Sequence, residues 1–278
     1  MTLKLVPAEK FTIEQLTDAY NQTRVDYLVP MPMNVARLKE YIHLYDVDLS
    51  KSLVALRNDD IVGLGMLALR ENRSWYTRLG VITNQRARGI GQALMEGMIA
   101  NSDTLLIQEN MLEVIVGNEP AHKLFLKLGF HEDRELSILR RAPAPVLTSS
   151  AKVYPMSKGE IYFNLKQRQD YQAWTNQTES IYHAKGIHGF HVYPSSGGHG
   201  WLVYQRTLFN LSRIMFDTEG GEEAAIMLEM LKILHLKHPE LDTYTENIPT
   251  DNPLLPAFYE MGYFEAFRRI EMHRYLII

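Results

Sequence analysis

The sequence predicts an α/β protein of two tandem domains. Its 278 residues leave room for two domains of ordinary size. Strand-like and helix-like runs alternate in an order that starts again, less cleanly, after residue 150. Between the two series, Arg141-Ala142-Pro143-Ala144-Pro145 through Ser149-Ser150 reads as a semi-rigid connection that carries little core. The expected division is a first domain over residues 1–141, a linker over 142–152 and a second domain over 153–278.

Each element has a local reason. Residues 12–22 read as a helix: Thr12 can cap it, Glu14 lies in its first turn, and Ile13, Leu16 and Tyr20 share a face. Val29-Pro30-Met31-Pro32-Met33 breaks it, because each proline fixes its own backbone and restricts the residue before it. A second helix is expected over 35–45. Strands follow over 52–57 and 61–69, joined by the turn Asn58-Asp59-Asp60. Residues 75–82 read as a strand, 91–100 as a helix, 104–116 as containing a strand, and 120–128 as a helix stopped by Gly129. A last strand covers 130–139. In the second half, helices are expected over 167–181, 222–236 and 254–261, and extended segments over 201–207, 213–216, 243–246 and 263–276. Met227, Leu228, Met230 and Leu231 are expected in the core.

Composition excludes several classes. A net charge of -4 gives no global electrostatic reason for a nucleic-acid partner. No apolar run approaches the ~20 residues that cross a bilayer, and the first residues lack the apolar stretch of a signal peptide. A cytoplasmic location with no membrane partner is therefore expected. The sequence holds no cysteine, which rules out disulfides, a thiol nucleophile and thiolate metal sites.

The most informative segment runs Val81-Ile82-Thr83-Asn84-Gln85-Arg86-Ala87-Arg88-Gly89-Ile90-Gly91-Gln92, between a strand and a helix. The first amides of a helix have no internal partners, and the helix dipole adds positive potential there. Gly89 and Gly91 let an anion approach the backbone, and Arg86 and Arg88 add charge. A pyrophosphate suits such a turn. The alternative is an ordinary glycine turn with two solvated arginines. A dinucleotide fingerprint is excluded, because Leu94 stands where its third glycine would be. The pattern Arg86-x-x-Gly89-x-Gly91 resembles the pyrophosphate-binding motif of the GCN5-related N-acetyltransferases (GNAT superfamily). A second segment, Leu112-Glu113-Val114 followed by Asn118, Ala121, Leu124-Phe125 and Gly129-Phe130, resembles that family's next signature.

The resemblance implies two tandem GNAT-like domains, each a mixed, mostly antiparallel sheet flanked by helices. It implies acetyl-CoA as co-substrate, with no metal. Leu79, Gly80 and Val81 would line the pantetheine arm. Arg86, Ala87, Arg88, Gly89, Ile90, Gly91 and Gln92 would hold the phosphates. Asn118 would bond the pantetheine or the strand backbone, although asparagine there also fits a helix cap. Glu113 would be the general base, its alternative being a structural ion pair or a solvated strand residue. Phe125 stands beside the arm where most members have a tyrosine acid; Tyr27 or Tyr76 could substitute, or the reaction could run without an acid. Asp26, Tyr27 and Met31, before and within the helix break, are candidates for acceptor contact. The expected function is acetyl transfer to a small-molecule or peptide amine; the alternative is acetyl-CoA binding without efficient turnover, and a ligand-free scaffold is a third possibility.

The halves align at a constant shift. Gly129-Phe130 corresponds to Gly262-Tyr263, and 262 − 129 = 133. The same shift carries Glu113 to Glu246, Asn118 to Asp251 and Phe125 to Phe258. It carries Arg86 to Gly91 onto Glu219-Gly220-Gly221-Glu222-Glu223-Ala224, replacing a phosphate cradle by three glutamates. The second domain is thus expected to be a degenerate copy that does not bind CoA. His183, His188, His191 and His199 gather near Gly197-Gly198, but no carboxylate joins them at a metal-ligand spacing, and solvated loop histidines are expected.

Overall fold

The computed structural model describes residues 3–276, and its elements come in one order, twice. The first series is β1 (Leu3–Pro7), α1 (Ile13–Gln22), α2 (Val35–Leu44), β2 (Leu53–Arg57), β3 (Asp60–Arg70), β4 (Arg73–Val81), α3 (Ile90–Thr104), β5 (Glu109–Ile115), α4 (Glu119–Lys127) and β6 (His131–Arg141). The second is β7 (Lys152–Pro155), α5 (Lys158–Gln167), α6 (Thr178–His183), β8 (Ile187–Tyr193), β9 (His199–Arg206), β10 (Asn210–Glu219), α7 (Glu223–Lys237), β11 (Asp242–Pro249), α8 (Leu255–Glu260) and β12 (Phe264–Tyr275). The shift of 133 places the starts of β5, β6 and α3 on those of β11, β12 and α7. The chain is therefore a tandem repeat of one α/β plan, each copy a mixed, mostly antiparallel sheet with helices on it.

Local chemistry accounts for the elements. Thr12 and Gln15 form a reciprocal capping box at the start of α1. Asn58 and Asp59 take φ of 53° and 66°, the left-handed pair of a tight hairpin turn between β2 and β3. Gly129 closes α4 at φ 85°. Four elements go beyond the expectation: β1, β7 and β8 are strands, and α5 begins at Ser157, capped reciprocally with Glu160. The helix expected over 167–181 is corrected. Of it only Gln167, the last residue of α5, and residues 178–181 are α-helical, because the segment between them packs a short 3-10 turn, Trp174–Asn176, with Trp174 fully buried. Tertiary burial overrides local helical spacing there.

The chain forms two compact units, Met1–Asp133 with Ile270–Ile278, and Arg134–Arg269. In the first unit, β1 to β5 run in spatial order and the end of β12 lies beside β5. In the second, β7 to β11 run in the mirrored order and β6 lies beside β11, pairing Arg141 with Thr243 and Leu136 with Pro249. The closing strand of each repeat thus completes the sheet begun by the other. Met272 is fully buried in the first unit's core with Leu112, Val114 and Phe130.

An ion-pair cluster fastens the end of β12 within the first unit. His273 Nδ1 and Glu109 Oε1 are 2.9 Å apart, and His273 Nε2 lies 3.8 Å from Asp133 and 3.9 Å from Glu271. Asp133, Glu271 and His273 offer ligand atoms within 4.8 Å of one another. Burial alone would lower the His273 pKa, but the bond to Glu109 and the Glu271 carboxylate override it and push the pKa up to about 9. Because this folded-state value exceeds the unfolded value of about 6.5, the stabilisation is complete below that pH and is lost as pH rises through about 9. The expected loss is a few kcal/mol at most. Urea midpoints should fall from pH 6 to pH 9.5 in the wild type and fall much less in His273→Gln.

Candidate cofactor and acceptor site

In the first unit, β4 and β5 are parallel and pair over four positions, from Arg73 with Glu109 to Tyr76 with Leu112. The ladder with β3 then shifts register, and Arg78 takes φ 55°. A non-glycine residue held left-handed inside a strand stores roughly 1–3 kcal/mol of strain that the surrounding fold must maintain. Beyond it, Leu79, Gly80 and Val81 follow β3 and leave β5, so the two parallel strands open towards their C-terminal ends. Gly80 is required by close approach: a Cβ there would come within 2.3 Å of Thr23 Oγ1, at the end of α1. The Leu79 carbonyl on this edge accepts from Arg24 Nη2 at 2.9 Å.

The turn after β4 leads into α3. Ala87 and Gly89 take φ of 58° and 77°, the left-handed conformation that recurs in the backbone concavities that bind anions. Gly89 caps α3, so the free amides of the first helical turn open beside it. Arg88 Nη1 donates to Gln85 at 3.3 Å, and Gln92 Nε2 donates to Glu96 at 2.7 Å while its Oε1 accepts from Lys127 at 2.9 Å. Arg86 is differently employed. It grips Asp26 with two bonds, 2.7 and 2.8 Å, and donates to the carbonyls of Val81 and Thr23. That pairing holds the Asp26 carboxyl below the usual carboxylate range. Asp26, expected to touch an acceptor, is thus the partner that ties the segment after α1 to the turn.

On one face of these strands lies a polar and aromatic group. Trp75 Nε1 donates to Glu113 Oε2 at 2.9 Å. The Tyr41 hydroxyl lies 2.6 Å from Thr77 Oγ1, and burial pushes its pKa up despite the Arg78 charge beside it. Arg78 Nη1 donates to the Tyr20 hydroxyl at 3.1 Å and meets Met31 Sδ at 3.9 Å, with its guanidinium 4.1 Å from the Tyr41 ring centre. Arg24 stands 4.2 Å over the Tyr27 ring. Asn118 begins α4 without capping it through its side chain; its Nδ2 instead donates to the Tyr27 hydroxyl at 3.3 Å. The fold therefore gathers Tyr27, Met31, Glu113 and Asn118 from the expected set, and adds Tyr20, Arg24, Tyr41, Thr77 and Arg78.

Two expected residues lie on the opposite face. Tyr76 is buried, and its hydroxyl bonds Ser102 and Asn110, each at 2.8 Å. Burial pushes its pKa up to about 12. Alternation along β4 sends it away from Trp75 and Glu113, so it is corrected from a substitute acid to a core residue. Phe125 packs in the same core, 6.2 Å from the Phe130 ring.

The second unit keeps the opened strands but fills the opening. β10 and β11 pair in parallel at only two positions, and Arg213 and Asn247 take φ of 51° and 58°. Asn176 Nδ2 donates to the carbonyls of Glu246 and Asn247 at 2.9 and 3.2 Å. Arg168, from the same connection, donates to the Asn176 carbonyl and meets Met215 of β10. The chain's own 3-10 turn thus bridges the diverging ends of β10 and β11. The helix that follows β10 is preceded by Glu222 and begins with Glu223, which repel an anion. His191 and His199, expected in loops, lie on the paired strands β8 and β9 with their nitrogens 2.9 Å apart.

Residues 14–130 match the family model described as Acetyltransferase (GNAT) family. Among solved structures, the chain is similar to a tandem GNAT protein from the clavulanic acid biosynthesis pathway, at TM-score 0.71 and 15% identity over 99% of this chain and 98% of that one. A GCN5-related N-acetyltransferase from Sphaerobacter thermophilus gives TM-score 0.74 at 10% identity, over 98% and 95% of the two chains. A putative acetyltransferase from Pyrococcus horikoshii gives 0.65 at 13% identity, over 100% and 90%. Among curated proteins none matches. No helix among the described residues is long and apolar enough to cross a membrane.

Proposed function

We propose that the first unit binds acetyl-CoA and transfers its acetyl group to an amine, a reading supported by the match of residues 14–130 to the acetyltransferase (GNAT) family model and by the likeness of the whole chain's fold to a tandem GNAT protein. The observation that carries this is the left-handed turn of Ala87 and Gly89 with the free amides at the start of α3, directly beyond the opened ends of β4 and β5. The pyrophosphate would lie on those amides, and the pantetheine arm would enter between the strands beside Leu79, Gly80 and Val81. Arg86 would shape this turn through Asp26, and Arg88 would supply charge.

In this reading Glu113 takes a proton from the incoming ammonium, directly or through water. The amine nitrogen then bonds the thioester carbon, the carbon–sulfur bond breaks, CoA leaves as thiolate, and the nitrogen's second proton passes to water. The thiolate is a tolerable leaving group, as thiol pKa values of about 8.5 are typical, so Phe125 does not forbid turnover. The Tyr27 hydroxyl, held by Asn118, is the proposed proton source. Phe125, which has no hydroxyl, favours a second reading, acetyl-CoA binding without efficient turnover.

Glu113→Gln separates the two. Its amide oxygen can keep the Trp75 bond, so the fold should persist. Under the first reading, kcat/KM falls by about 100-fold or more, and the pH profile loses the limb that belongs to the base. Acetyl-CoA affinity by calorimetry should not change. Thiol release is a clean readout, because the protein has no cysteine of its own. Acetyl-CoA binding with no thiol release from any amine would establish the second reading, and no binding at all would sink both.

A further inference from the structure

Two arginines at one end of the first unit's sheet share a single acceptor. Arg57, the last residue of β2, donates from Nη1 to Gln85 Oε1 at 2.7 Å. Arg88, just before the cap of α3, donates from its own Nη1 to the same oxygen at 3.3 Å. An amide oxygen has two lone pairs, so one neutral group holds two like charges together. Among the described residues no carboxylate pairs with either arginine; Asp60 stands opposite Arg57 in the ladder of β2 and β3 without bonding it. Arg57 Nε is shielded from water and meets no acceptor. Each guanidinium thus keeps most of its N–H donors unspent within the chain. Like charges at this range repel, and an anion between or beside them would reverse the sign of that interaction.

The pair lies next to the turn that would take the pyrophosphate. Gln85 ends the 3-10 turn Thr83–Gln85 that follows β4, and Arg88 precedes Gly89. Arg57 comes from β2, with β3 between it and β4, so it reaches the turn from the side away from β5. CoA carries one more anionic group than its pyrophosphate, a phosphate monoester on the 3′ oxygen of the ribose, a few bonds further on. From this convergence we propose that Arg57 and Arg88 form a subsite for that 3′-phosphate, and that the first unit thereby selects CoA over 3′-dephospho-CoA. The inference rests on the proposed binding of acetyl-CoA and adds how the cofactor is told from an analogue that shares its pyrophosphate and pantetheine. A phosphate monoester carries close to two negative charges at neutral pH, and guanidinium forks match its oxygens. Gln85 is then a positioning residue, which holds the two cations side by side before the ligand arrives. The shift of 133 carries Arg57 and Arg88 onto Phe190 and Gly221, so the pair is missing from the repeat whose helix start repels an anion.

The test is calorimetry on the full chain with CoA and with 3′-dephospho-CoA, which requires no turnover and no knowledge of the acceptor. The wild type should bind CoA more tightly by about 10-fold or more, the scale of a charge-assisted hydrogen bond, and the ratio should shrink as salt screens the contact. Arg57→Met should bring the ratio close to one by weakening CoA rather than by tightening 3′-dephospho-CoA, and Arg57→Lys should keep part of the preference. Gln85→Glu should also bring the ratio towards one, because its carboxylate would satisfy both guanidiniums inside the chain. Equal binding of the two compounds by the wild type overturns the proposal, whether or not Arg57→Met folds. A preference that survives both Arg57→Met and Gln85→Glu overturns it as well. Failure to bind either compound would remove it together with the cofactor assignment beneath it.

Discussion

A Gly91→Glu variant is expected to keep its thermal stability and to lose acetyl-CoA affinity by about 100-fold or more. Gly91 is not in a left-handed conformation, and a Cβ there would make ordinary contacts of 3.7 Å with Leu124 and Val81. It occupies the second position of α3, where a carboxylate favours the helix dipole by roughly 0.3–1 kcal/mol. The fold therefore tolerates the change. The cofactor should not, because the new charge stands where the pyrophosphate would meet the first amides, and like charges in close juxtaposition cost several kcal/mol. The second repeat already carries this chemistry, with Glu222 and Glu223 at its matching helix start. Calorimetry with acetyl-CoA, set beside a thermal melt, checks both halves. Unchanged affinity would remove the turn from the binding site, and a large fall in melting temperature would mean that the glycine serves packing.

A fragment of residues 1–141 is expected to lack a cooperative melt, although it spans the whole first series of elements. It loses the end of β12, and with it Met272 from the core, the His273–Glu109 pair, the Arg274–Asp103 pair and the backbone bond from Leu276 to Gln108. Burial of one such methionine contributes roughly 1.5–3 kcal/mol. β5 would also become an unprotected edge beside an apolar core, a template for aggregation. Joining Asp133 through a short Gly/Ser linker to residues 270–278 should restore the melt and acetyl-CoA binding. A cooperative transition in the unmodified fragment would show the exchanged strand to be dispensable.

These expectations mark what was legible in the sequence. Elements with their own punctuation were readable: Thr12 before α1, Asn58-Asp59 between β2 and β3, Gly129 after α4. The repeat and the anion turn were readable because each depends on residue type at fixed spacing. β1, β7 and β8 escaped because short strands carry too few positions for an alternating pattern to stand out. Ser157 and Glu160 held a capping box that marks α5, and the helical spacing over 167–181 obscured it. Strand exchange left no local trace, since β6 and β12 would read alike whichever strand they joined. In the site, Arg86, Asp26 and Glu113 have partners brought from 60 or 38 positions away, which periodicity cannot supply. Arg78 did leave a signal, a charge inside the otherwise uncharged run Trp75-Tyr76-Thr77-Leu79-Gly80-Val81. Its backbone strain and its tyrosine surroundings belong to the folded chain alone.

The exchange of β6 and β12 also has a consequence for how the protein is made and inherited. On a ribosome the first unit is still missing a strand when residues 1–133 have emerged, and it cannot close until the end of β12, after residue 270, has been translated. Its β5 edge then waits beside the nascent second repeat, a stage at which a chaperone or slow synthesis would matter most. At the level of the gene, the duplication has become hard to reverse. A deletion that returned the locus to one copy would remove a strand the survivor no longer supplies to itself, so selection retains the second repeat for its contribution to the first, whether or not it ever binds a ligand.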